Sequence, residues 1–221
     1  QLQLPLFLRD KLLEMRQRHQ KYEDTPYSLE PNCKESPGAL RDLQVVAWIS
    51  RAAGFGQAWV SLVRAGVIEP LEASQLQRYE RLLKRIRAWL HILSGRREDR
   101  LIFDLQPAVA QAMHLKGEGP RALSEKLMQQ YYLAAKGITQ LSTLLLQSLE
   151  IRLLRQHPGP ARRLDDHFDQ IDDQLDLRDP QDFERDPRLI LRAFRVLQQN
   201  RSLNGMTVRT LRALWHARFR I

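Results

Sequence analysis

From Ala122 to Gln156 apolar residues return every three or four positions: Leu123, Leu127, Tyr131, Ala134, Ile138, Leu141, Leu145, Leu149 and Leu153. That spacing lays them on one stripe of an α-helix; a strand would need alternation with period two. The same rhythm governs most of the chain. Leu6, Leu8, Leu12, Leu13 and Met15 predict a first helix that fades by Tyr22. A second runs from about Leu40 to Arg51, with Leu40, Leu43, Val46, Ala47 and Ile49 inward, and "AWVSLVRAGV" (58–67) forms a short element after Gly54 and Gly56. Residues 69–95 carry Leu76, Tyr79, Leu82, Leu83, Ile86, Trp89, Leu90 and Leu93 on one stripe, with Gly95 as the stop. A shorter helix is expected over Pro107–Met113.

The pattern changes after "HPGPARR" (157–163), the strongest linker signal present. "HFDQIDDQLDLRD" (167–179) alternates apolar and polar residues about Asp172-Asp173, as a small β-hairpin does. Two helices, 187–200 and 207–220, close the chain. The expected fold is therefore all-α, a multi-helix bundle with one small β-hairpin near residues 167–179.

Composition narrows the partners. The formal net charge is +9, which favours an acidic one: nucleic acid, nucleotide or an acidic protein surface. No run reaches the ~18 uninterrupted apolar residues of a membrane span, and the start lacks the features of a signal peptide. The lone Cys33 excludes an internal disulfide and suits a reducing compartment. The expectation is a cytoplasmic chain, and its start on Gln1 reads as a piece of something longer.

Metal and hydrolytic chemistry have little to stand on. The six histidines are scattered, and HExxH, GxSxG, GxxxxGK[ST] and GxGxxG are absent. "DDHFD" (165–169) superficially resembles phosphohydrolase signatures, which need further His and Asp from separate helices. No catalytic residue and no metal ligand is therefore expected here.

Two charged stretches are better candidates. In "LHILSGRREDRLIFD" (90–104), Arg96, Arg97 and Arg100 interleave with Glu98 and Asp99. They form either a solvated helix end or a fork network aiming guanidinium groups at a phosphate or an acidic partner. In "SLEPNCKESPGALRDLQ" (28–44), Pro37-Gly38 makes a turn and the following helix directs its first N–H groups back at it. Lys34 and Arg41 beside that helix end suit an anion. Asp42 in the first turn serves equally as a cap.

Together these stretches carry a family resemblance. "LEPNCKESPGALRDLQ" resembles the LEPN-x-K-E-G-P-G-G-L-R-D-L-Q signature of the PII protein uridylyltransferase/uridylyl-removing family. "LHILSGRREDRLIFDLQ" (90–106) is similar to that family's LH-x-x-x-GRREDRL-x-FD-x-Q, and "MQQYYLAAKGI" (128–138) to a third segment containing M-x-x-YY-x-x-A. Order and spacing agree, and the resemblance covers essentially the whole chain.

The resemblance implies a central helical region between an N-terminal nucleotidyltransferase domain and an HD-type phosphohydrolase domain followed by two ACT domains. Residues 1–24 would then be a helix joining from the transferase, 25–156 a substrate-positioning helical domain, and 157–221 a linker, hairpin and two helices leading towards the HD domain. Such enzymes transfer UMP from UTP to a tyrosine of the PII signalling protein when glutamine is low, and remove it when glutamine is high. The implied cofactors, Mg²⁺ and UTP, belong to the full-length enzyme, and the fragment alone is expected to be inactive. Lys34, Arg41, Arg96, Arg97 and Arg100 become candidates for positioning UTP phosphates or PII, with Asp42, Glu98 and Asp99 orienting them.

Ser36 and Ala39 stand where the family pattern has glycine. Were either glycine needed for a positive φ, the replacement would cost about 1 kcal/mol or more. Two other readings stay open: a basic helical nucleic-acid module built on "RYERLLKRIRAWLHILSGRR" (78–97), and the corresponding region of glutamine synthetase adenylyltransferase. Interleaved acidic residues count against the first, and the "GRREDR" and "LEPN" stretches against the second.

Overall fold

Residues 3–154 and 159–217 are described in a computed structural model. They divide into two compact units, Gln1–Leu153 and Leu154–Ile221. Among the described residues no helix is long and apolar enough to cross a membrane.

In the first unit the expected periodicity becomes six helices: α1 (Leu4–Gln20), α2 (Leu40–Ala52), α3 (Trp59–Arg64), α4 (Pro70–Ser94), α5 (Gln106–Ala112) and α6 (Gly119–Leu153). A 3-10 turn at Phe103–Leu105 leads into α5. Helix α6 is the axis on which α2, α4 and α5 pack, while α1 lies against α2. From Leu123 to Leu149 every residue of the predicted α6 stripe is buried. Leu76, Leu83, Ile86 and Leu90 of α4, and Leu43, Val46 and Ile49 of α2, are buried too. Each such side chain contributes about 1.5–3 kcal/mol relative to exposure.

Helix α4 starts on a capping box. The Glu69 side chain accepts from the backbone N–H of Glu72, and the Glu72 carboxylate accepts from the backbone N–H of Glu69 at 2.8 Å. It stops at Gly95. Where α4 and α6 meet, Gly137 admits the Tyr79 ring: a Cβ there would lie 2.3 Å from Tyr79 Cε2. Not every periodic position is buried: Leu93 is 41% exposed in the last turn of α4, and Leu6 and Leu13 of α1 are 51% and 52% exposed.

The second unit holds the predicted hairpin, β2 (Phe168–Ile171) against β3 (Gln174–Leu177), turning at Asp172 with φ +52°. Two strands absent from the sequence reading widen it. Arg162–Arg163, at the end of the predicted linker, form β1 antiparallel to β2. Gly205–Met206 form β4, parallel to β3. The start of that linker, residues 157–158, lies outside the described residues, as do 155–156 of the long helix and 218–220 of the closing one.

Helices α7 (Asp182–Arg185), α8 (Arg188–Gln199) and α9 (Val208–Ala217) complete this unit. Its core joins Phe168, Leu175 and Leu177 to Phe183, Ala193, Met206 and Ala213. Asp176, 2% exposed, takes Thr207 Oγ1 at 2.6 Å and the Arg209 guanidinium. The "DDHFD" stretch is committed locally. Asp165 accepts from the N–H groups of His167 and Phe168, Asp166 pairs with Arg163, and His167 Nδ1 lies 2.9 Å from Asp182 Oδ2.

Candidate functional site

The loop before α2 is a closed knot of local hydrogen bonds. Asn32 Oδ1 accepts from the N–H groups of Lys34 at 2.9 Å and Glu35 at 2.8 Å, a turn in which a side chain stands in for backbone. The Asn32 N–H donates to Ser36 Oγ at 3.0 Å. Loop carbonyls take the N–H groups of the helix start: Ala39 to Ser36, Leu40 to Cys33, Arg41 to Lys34 and Asp42 to Ala39. Asp42, 1% exposed, turns its Oδ2 back onto the Gly38 N–H at 2.7 Å. The α2 N-terminus thus carries its own carboxylate, and an anion held here must be held by side chains.

Neither departure from the family pattern touches a left-handed position. That conformation falls on Gly38, φ +74°, where a Cβ would lie 2.2 Å from the Ala135 carbonyl oxygen. Ala39 is the extended N-cap of α2, φ −93° and ψ −175°. Its full burial asks only for a small side chain.

The second stretch is sewn onto the first. Cys33 N–H donates to the Asp99 carbonyl at 2.7 Å and Leu101 N–H to the Pro31 carbonyl at 2.9 Å, flanking an antiparallel bridge between Asn32 and Arg100. Gln106 Nε2 donates to the carbonyls of Leu29 and Leu101. The third stretch closes the junction: Tyr132 OH donates to the Ser28 carbonyl at 3.1 Å. Tyr131 is buried beside it, with no hydrogen-bond partner for its hydroxyl among the described residues.

The candidate charges are distributed over this frame. Lys34 and Arg41 converge on Glu35 Oε1 at 3.3 and 2.9 Å, and Arg41 lies over the Trp48 ring at 5.5 Å. Glu35, passed over in the sequence, therefore orients both. Burial raises its pKa, but the Arg41 hydrogen bond and charge, followed by those of Lys34, outweigh it and hold the carboxyl below its ordinary value. Asp42 is paired with Arg18 at 2.7 Å and His19 at 2.9 Å, both of α1. Asp99 is held by Arg87 at 2.5 Å and His91 at 2.9 Å, both of α4. Burial pushes the Asp99 pKa up, and those two partners bring it below its usual range.

Of the three arginines in the second stretch, Arg96 pairs with Glu98 at 2.9 Å and Arg100 with Glu30 at 3.0 Å. Arg97 is exposed and makes no hydrogen bond or ion pair among the described residues. Arg18 and His19 were invisible to pattern reading, because their partner is more than 20 residues away on another element. Arg87 and His91 had a signal: they stand four apart on one face of α4, a few residues ahead of Asp99.

Comparison with known proteins bears on what this frame serves. The family described as "GlnD PII-uridylyltransferase" matches residues 6–146, and "Uridylyltransferase GlnD third domain" matches 168–221. The chain belongs to the GlnD PII-uridylyltransferase family. Similar relatives named "Bifunctional uridylyltransferase/uridylyl-removing enzyme" come from Bordetella parapertussis, 51% identical over 100% of this chain, and Ralstonia nicotianae, 50% identical over 96%. A third, from Burkholderia orbicola, is 48% identical over 96%. The chain spans about a quarter, 25%, of the length of each. No solved structure matches it. These relatives favour neither the nucleic-acid module nor the adenylyltransferase reading. In GlnD terms, the junction of the three stretches lies wholly within the first matched segment.

Proposed function

We propose that this region is the substrate-positioning part of a PII uridylyltransferase/uridylyl-removing enzyme. It presents fixed cations to the UTP phosphates and to the PII protein, and links transferase to hydrolase in glutamine-responsive nitrogen control. The observation that carries this is a surplus of positive charge on a rigid frame. Lys34 and Arg41 share the single carboxylate of Glu35, and Arg97 stands unpaired between two arginines already oriented by Glu98 and Glu30. Transfer of a nucleotidyl group depends chiefly on positioning and charge neutralisation, which such a frame supplies.

Mg²⁺ and UTP are assigned to the transferase domain of the full-length enzyme. The carboxylates of the junction do not fit a Mg²⁺ site, because Glu35, Asp42 and Asp99 each already answer to two or more cationic side chains. Calorimetric titration of the chain with PII, at low and moderate salt, tests the reading. Binding that persists at moderate salt and falls in the Lys34→Ala/Arg41→Ala variant supports it. PII affinity indifferent to those substitutions overturns it.

A further inference from the structure

Tyr27, Leu29, Phe103 and Leu133 are large apolar side chains left 51%, 66%, 55% and 61% exposed. All four line one cleft of about 780 Å³ at the meeting point of the three stretches. None of them serves the core, although Leu29, Phe103 and Leu133 stand within the segments by which the chain resembles its family. Clustered apolar exposure of this kind marks an interaction surface.

The cleft is built stiffly. Tyr27 and Tyr132 pack edge to face at 5.7 Å, and Tyr132 is anchored through its hydroxyl to the Ser28 carbonyl. Gln106 pins the backbone of Leu29. Walls fixed in advance lower the ordering cost of binding. The rim of this cleft carries Arg121, Glu125 and Lys136. Arg121 is neutralised by Glu125 at 2.9 Å, whereas Lys136 makes no ion pair among the described residues. A second cleft of about 520 Å³ shares Tyr27, Leu29 and Phe103 and is lined further on by Lys21, Glu23, Glu30 and Arg100. The result is an apolar track, adjoined by a more polar cleft, with an unpaired lysine beside it.

We infer that this track receives an extended segment of a protein partner, which seats an aromatic or branched apolar side chain among Leu29, Phe103 and Leu133 and offers a carboxylate to Lys136. A nucleotide or nucleic acid would instead require several free cations for its phosphates, and in the first cleft Lys136 is the one cation without an ion pair among the described residues. The inference rests on the proposed function and gives PII, the protein substrate, a second contact chemically distinct from the basic frame: apolar insertion rather than charge.

The test uses the full-length enzyme and purified PII. A photo-crosslinking benzoyl-phenylalanine is placed at Leu133 and, as control, at Ile92, which is 65% exposed on α4 outside the cleft. An adduct with PII from position 133 and none from 92 is expected. An adduct from 133 to the enzyme's own chain overturns the inference, because the rest of the enzyme then fills the track. In parallel, Leu29→Ser and Leu133→Ser are expected to weaken PII binding roughly tenfold at any salt. Lys136→Glu should weaken it with an effect that shrinks as salt rises. All three positions are exposed, so melting temperature should stay at the parent value. PII binding within twofold of the parent in all three variants sinks the docking track and leaves the positioning role intact. Failure of the unsubstituted enzyme to bind PII sinks the positioning role itself.

Discussion

The backbone N–H of Cys33 donates to the carbonyl of Asp99 at 2.7 Å, while the carboxylate of the same aspartate is gripped by Arg87 and His91 of α4. One residue thereby ties the loop before α2 to α4. Replacing Asp99 by Ala leaves Arg87 partly buried without its carboxylate. The expected loss is about 1–3 kcal/mol, since charge-assisted bonds are the stronger class. Urea denaturation should show a lower midpoint at unchanged slope; an unmoved midpoint would show that the grip is ornamental.

Acid should loosen the same junction. Asp99 and Glu35 lie below their ordinary values of 3.8 and 4.5, so their carboxylates bind protons more weakly folded than unfolded. The stabilisation is complete above those ordinary values and is lost as pH falls through the depressed folded ones. Thermal unfolding followed from pH 7 to pH 3 should therefore fall most steeply below about pH 4.5. In Asp99→Asn, which has no proton to gain, the decline should be shallower.

Gly38 carries the steric demand of the loop. Gly38→Ala meets both an unfavourable positive φ and the Ala135 carbonyl, and should cost about 2–4 kcal/mol. Ala39→Gly removes only a buried methyl and loosens the backbone, for roughly 1 kcal/mol. Ser36→Gly deletes the hydroxyl that accepts from Asn32, again for about 1 kcal/mol. Chemical denaturation of the three variants ranks them, and equal losses at positions 38 and 39 would contradict the geometry.

Cys33 is fully buried, and burial, aided by the charge of Asp99, pushes its thiol up to about 12. At pH 8 it is an inert thiol. A disulfide reagent should modify the native chain only as fast as the junction opens, and at once in denaturant. A rapid native phase would place the thiol at the surface.

The hydroxyl of Tyr131 is buried without a partner among the described residues, and burial raises its pKa well above the ordinary value. Tyr131→Phe keeps the ring and removes the unsatisfied group. Stability should hold or rise by about 1 kcal/mol. A loss of several kcal/mol would reveal a bond that the hydroxyl does make.

The long helices were legible because burial on one face imposes a period that three or four turns repeat. The predicted stripe of α6 is buried from Leu123 to Leu149, and the hairpin showed itself by alternation. The failures have physical causes too. Leu93 keeps the spacing but sits in the last turn of α4, and β1 and β4 are two residues each, too short to show a period. The candidate site was legible as a set of charges, not as a set of pairs. Nothing local links Asp42 to Arg18, and no spacing shows that Lys34 and Arg41 share the carboxylate of Glu35.

The bond from Tyr132 to the carbonyl of Ser28 spans 104 residues of chain. During synthesis the loop before α2 leaves the ribosome long before the helix that covers it exists. At about 5–20 residues per second the interval is roughly 5–20 s. Through that time Gly38 faces water instead of the Ala135 carbonyl of α6, and the nascent chain leaves apolar surface uncovered. Rare codons between residues 44 and 128 would lengthen that exposure without changing one atom of the finished protein.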